Sequence, residues 1–180
     1  MPITPQDAAE ALQLVSATER RSQELHGYQR MAPHLMFWSG VWALGYIGDY
    51  AAPAHAGPIW LVLVIAGWVS SYLMTRSQRR SPPDRRFFGI ILTFVAFTTA
   101  TLVIMAPHDP NQVSAFIPLV VAVTYIIIGL FGLPRLLLTG IAFFVLTLVG
   151  YFALPGIFPL WMAAVGGGGL FLGGLWLRRA

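Results

Sequence analysis

The sequence predicts an all-α polytopic integral membrane protein: a six-helix transmembrane bundle preceded by a short cytoplasmic N-terminal helix. Three observations predict it. Of 180 residues, 57% are apolar and only 10% charged, whereas a soluble domain covers itself with roughly 25% charge. Six runs, at 35–52, 59–75, 87–106, 113–133, 136–154 and 157–177, meet or approach the ~20 apolar residues that cross a bilayer. All 11 basic side chains are arginines, and they fall in alternate connections between those runs.

The first 33 residues form a unit of their own, ahead of a transmembrane unit at 34–180. They do not read as a cleavable signal peptide, because the apolar run starts only at Leu35 and no small-residue cleavage site precedes it. Thr4-Pro5-Gln6-Asp7 reads as a helix start, with Thr4 as cap, Pro5 at the first helical position and Asp7 reaching back. Ala8, Ala11, Leu12 and Val15 make a short apolar stripe, and Arg20 with Glu24 is an i,i+4 pair. The spacing predicts an amphipathic helix over 5–25, with bends at Gly27 and Pro33 before the membrane. It packs on the cytoplasmic end of the bundle or at the headgroups, or it docks a protein partner.

The breaks between spans carry proline and glycine: Pro53 and Pro58, Pro82-Pro83, Pro107 and Pro110, Gly132 with Pro134, and Pro155-Gly156 with Pro159. All connections but the one at 76–86 are very short, so consecutive helices are antiparallel neighbours. Pro118 lies inside the fourth span, either within a tolerant first turn or as a kink. Trp38, Trp42, Trp60, Tyr72, Trp161 and Trp176 lie near span ends and read as interfacial anchors.

Orientation follows from the arginines. Arg20, Arg21 and Arg30 precede the first span; Arg76, Arg79, Arg80, Arg85 and Arg86 separate the second from the third; Arg135 separates the fourth from the fifth; Arg178 and Arg179 follow the sixth. With six spans, all of them fall on one side, and the positive-inside rule makes that side cytoplasmic, with both termini on it. Arginine to the exclusion of lysine suggests a GC-rich bacterial genome, hence a bacterial inner membrane. Pro58-Ile59-Trp60, Ile117-Pro118-Leu119 and Pro159-Leu160-Trp161 open the even-numbered spans, and Arg76, Arg135 and Arg178 follow them. Three tandem helical hairpins would explain this, as would the common need of any hairpin for a turn outside and arginine inside.

The residues exclude more chemistry than they support. There is no cysteine, so no disulfide, thiolate ligand or thiol nucleophile, and no lysine for a Schiff base. The arginines are too scattered for a nucleic-acid face. Charge deep in a membrane marks function, but Asp49 alone lies within an apolar run, about one turn from its outer end. It reads as an interfacial aspartate or as a proton or cation site. His55, His108 and Asp109 lie in outer connections near it, without the spacing of a metal motif. His34 lies on the opposite side, so no histidine pair matches in depth for haem. No catalytic, cofactor or metal site is expected, and no enzyme: the serines lack a base.

The Thr98, Thr99 and Thr101 cluster is the most polar patch at mid-depth and a candidate solute site. Gly166-Gly167-Gly168-Gly169 with Gly173-Gly174 is no phosphate loop, since no Gly-Lys-Ser/Thr follows. Gly166, Gly169 and Gly173 lie on one helical face and predict close helix packing, within the bundle or between copies through the last span. The expected function is a non-enzymatic accessory, regulatory or stress-related membrane protein. It would act through lipid and, by its N-terminal helix, a protein partner. The alternative is a transporter or channel for a small neutral or lipid-like solute.

Overall fold

The computed structural model describes residues 5–78 and 85–179, and every regular element among them is helical. The expected cap at Thr4, the prolines at 82–83 and the arginines at 79–80 lie outside the described residues, as does the Arg20 side chain of the expected pair with Glu24.

α1 runs from Pro5 to Ala51, 47 residues without interruption. Neither Gly27 nor Pro33 interrupts the helix, so the expected N-terminal helix and the first span are one continuous helix, about 70 Å along its axis at 1.5 Å per residue. Gly27 serves packing instead: a Cβ there would stand 2.8 Å from a Leu133 methyl. Pro33 withholds one backbone donor from α1, yet Tyr28, Ala32 and Leu35 around it are buried with Leu136 and Leu177, which holds the helix in place.

A 3-10 turn at Pro53–His55 leads into α2, Ala56–Gln78. α1 and α2 pack glycine against ring: Gly45 lies under Trp60, and Gly67 lies under Trp38, where an added Cβ would stand 2.8 Å from the ring. This draws tryptophans inward that composition suggested were interfacial anchors. Trp42 is 5% exposed and meets Tyr46, Trp60 and Phe143 at ring separations of 5.7, 6.1 and 5.6 Å. Edge-to-face contacts of this kind add to area burial.

α3, Arg85–Met105, stands at the margin, touching α4 through Phe97 and Phe116. α4, Pro110–Leu130, and α5, Pro134–Ala153, form the most closely packed hairpin. Gly129 faces the Leu137 backbone, and Gly140 faces Ala122 and Ile126. Between them Gly132 takes φ +105°, and Leu133 N–H returns to the Gly129 carbonyl at 3.0 Å, the glycine-terminated helix end expected of a tight turn. Pro118 lies inside α4 and is fully buried.

The last apolar run is not one α-helix. A 3-10 turn at Pro155–Ile157 leads to α6, Phe158–Met162, then a π-helical stretch at Ala163–Gly169, then α7, Leu170–Arg178. Four consecutive glycines give the backbone the latitude for the wider π turn. α1 packs along all three segments, so the core lies between α1 and the last run, with α2 and α5 flanking it.

Four helical stretches among the described residues are long and apolar enough to cross a membrane: Pro53–Arg76, Pro110–Leu130, Pro134–Ala153 and Pro155–Arg178. α3 contributes a shorter apolar helix, Leu92–Met105. The outer part of α1 is diluted by the aromatic residues, glycines and Asp49 that build the core. Leu61, Leu92, Ile104, Phe131 and Phe152 are all at least 63% exposed. Apolar surface of that extent is untenable in water and is the expected face toward lipid, so the chain is a helical membrane protein.

Candidate functional site

Two polar clusters bind the helices together, one at each end of the bundle. At the end that carries the α1–α2 turn, Trp60 Nε1 of α2 donates to Asp49 Oδ1 of α1 at 2.8 Å. The other carboxylate oxygen, Oδ2, is buried without a hydrogen-bond partner among the described residues, and Ser114 of α4 lies beside the carboxylate. Tyr46, one turn earlier on α1, donates to the Ser114 carbonyl at 2.5 Å. That carbonyl lies opposite Tyr46 because α4 begins at the Asp109 cap. Three helices thus converge on one half-buried acid. The pair Asp49–Trp60 had a signal in the sequence: the two residues flank the proline turn at similar distances on either side.

The remaining candidates of the outer side do not join this cluster. His55 is exposed at the end of the 3-10 turn. His108 is exposed, and Asp109 caps α4 by accepting the Asn111 N–H at 2.9 Å. Asn111 also reaches the Pro155 carbonyl at 3.1 Å, tying the start of α4 to the α5–α6 turn. Among the described residues no three His, Asp or Glu side chains are grouped as metal ligands would be.

The threonines of α3 divide. Thr99 is exposed, while Thr98 and Thr101 are half-buried. Thr124, Thr139 and Thr147 each donate back one turn to their own helix, the usual arrangement in a membrane. The Thr98 hydroxyl oxygen is buried and has no hydrogen-bond partner among the described residues.

The glycines divide too. A Cβ on Gly166 would meet Trp42 at 3.2 Å, and one on Gly173 would meet Thr139 at 3.0 Å. Gly169 faces open space, because the π stretch rotates it off the face shared by the other two. The closest approaches involve two glycines outside that expected trio: Gly167 against Ala43 and Gly174 against Met36, each with a would-be Cβ 2.6 Å from a side-chain atom.

The cluster at the opposite end of the bundle was not apparent from sequence. Tyr28 of α1 donates to Glu24 Oε1 at 2.7 Å and accepts the Arg135 backbone N–H at 3.1 Å. Burial raises the Tyr28 pKa above its ordinary value. The Arg135 guanidinium lies 5.7 Å from the Tyr28 ring centre and 5.3 Å from that of Trp176, and its Nη1 donates to the Trp176 carbonyl at 2.8 Å. Arg135 thereby joins the long helix, the α4–α5 turn and the C-terminal turn of α7, where a cation also complements the helix dipole.

The chain matches no protein-family model, no curated protein and no solved structure at significance.

Proposed function

We propose that the chain is a six-span protein of the bacterial cytoplasmic membrane, built as three helical hairpins with both termini cytoplasmic. We further propose that it serves as a non-enzymatic accessory protein, regulatory or stress-related, that presents a rigid helix to a protein partner. The six-span reading is supported by the arginine alternation and by α3 and the outer part of α1, each helical where a span is needed.

One observation carries the accessory reading. α1 continues unbroken as a helix from its buried half to its N-terminal arm, and that arm carries Leu12, Leu14 and Val15 at 70%, 70% and 54% exposure. A helix too polar to enter the bilayer yet ending in uncovered leucines suits helix-in-groove recognition. The test is native mass spectrometry of protein gently extracted from its own membrane. A stoichiometric partner chain on the full-length protein, lost from a Leu12→Glu/Val15→Glu variant of unchanged thermal stability, is the expected result. A partner-free full-length protein sinks the reading.

The transporter reading has one observation in its favour: among the described residues, Asp49 Oδ2 and Thr98 Oγ1 are buried without hydrogen-bond partners. Transport of a small solute would require flux in vesicles that Asp49→Ala or Thr98→Val abolishes. Wild-type flux in both variants removes these residues from consideration.

A further inference from the structure

A groove of about 290 Å³ runs between α5 and the last span on the lipid-facing side. Its floor is low because Gly169 and Gly173 carry no side chain, and Leu138, Leu146 and Trp176 form its walls. Along α5 it extends from Leu138 to Leu146, about 12 Å at 1.5 Å per residue. That is close to the depth of one leaflet, about 15 Å of the ~30 Å hydrocarbon core.

The mouth of the groove has a different character. Trp176 closes it, half-exposed, with the Arg135 guanidinium against the ring. Within the described residues that guanidinium makes a single hydrogen bond, to the Trp176 carbonyl. Four of its five N–H groups are therefore unused. Glu24, the acid nearest in the cluster, holds the Tyr28 hydroxyl instead. Arg178 and Arg179 are exposed one turn beyond. A one-leaflet apolar channel thus opens beneath a guanidinium with unused donors.

We propose that this groove binds one anionic phospholipid, its phosphate on Arg135 and one acyl chain along Gly169. Guanidinium suits phosphate because its donors are planar and forked, and the channel below accepts only a hydrocarbon tail. A second copy of the chain fits poorly, since a symmetric pairing through this face would bring two arginine-lined mouths together. Assignment to the cytoplasmic leaflet rests on the proposed orientation, whereas the headgroup preference does not.

The test is lipid retention by the purified full-length protein, read by native mass spectrometry after exchange into phosphatidylglycerol or phosphatidylcholine of identical chains. The expected result is one phosphatidylglycerol retained in preference, with Arg135→Gln reducing that preference roughly tenfold. Gly169→Leu fills the groove where an added Cβ meets nothing within 4 Å. It is expected to reduce retention of both lipids while leaving the melting temperature unchanged. Equal retention of the two lipids by the wild type overturns the proposal. So does undiminished retention in Gly169→Leu, a dimer that this variant splits, or binding of inorganic phosphate as tight as that of the lipid.

Discussion

Trp60 Nε1 donates to Asp49 Oδ1 at 2.8 Å across the turn that joins α1 to α2. The Ser114 side chain of α4 stands beside the same carboxylate, whose second oxygen has no partner that meets hydrogen-bond geometry among the described residues. The pair therefore stabilises the outer end of the bundle chiefly by preventing a worse state, a buried carboxylate with no donor at all.

Trp60→Phe is expected to lower stability in detergent by about 1–3 kcal/mol, together with the packing lost over Gly45. Asp49→Asn in the same background should recover part of that loss, because the amide is cheaper to leave in an apolar site than the carboxylate. A double-mutant cycle read by thermal melting checks this, and strictly additive losses would contradict it.

Glycine substitutions should rank by neighbour rather than by motif. Gly167→Leu and Gly174→Leu drive a side chain into Ala43 and Met36 and are expected to cost at least the ~1–3 kcal/mol typical of overpacking. Gly169→Leu should be close to neutral. Melting temperatures of the three proteins decide it, and a destabilised Gly169 variant would mean that this face is packed against something in the native membrane.

Tyr28→Phe removes one hydroxyl and leaves both Glu24 and the Arg135 N–H without their partner. A loss of about 1 kcal/mol per bond is expected. Hydrogen exchange should rise locally, at the α4–α5 turn and the end of α7, more than at the outer end of the bundle. Uniform acceleration would show instead that the clamp has no local role.

The absence of native cysteine makes labelling a direct test of topology. Single cysteines at His55 and His108 should react with an impermeant maleimide applied to intact cells. Cysteines at Ser22 and Arg179 should react only after permeabilisation. Labelling of His55 and His108 from opposite sides would remove the six-span arrangement, and a clean reversal would invert it.

Much of the architecture was legible because membrane sequences are strongly punctuated. Apolar runs, prolines and Gly132 located the ends of α2, α4 and α5 within a few residues. The continuity of α1 was not legible, since the shift from polar to apolar residues near Pro33 resembles a boundary. A helix, however, ignores that shift when the residues about the proline are buried. Glycine was ambiguous for a related reason. Periodicity assigns a face to Gly166, Gly169 and Gly173, but it assumes 100° per residue, and the π stretch breaks that count between the first and the second. The Asp49 cluster was half visible: the acid stood out, but Ser114 comes from a helix distant in sequence that only packing brings near.

The unbroken α1 gives the molecule the mechanics of a lever. Its arm from Pro5 to Gly27 extends about 35 Å beyond Tyr28, and Tyr28, clamped by Arg135, is the fulcrum. A 10° swing of the tip sweeps about 6 Å by that length, and an unbroken helix passes it on through Tyr28 and Arg135 to the α4–α5 turn and the end of α7. Force applied to the N-terminal tip is thereby felt at the Tyr28–Arg135 contact.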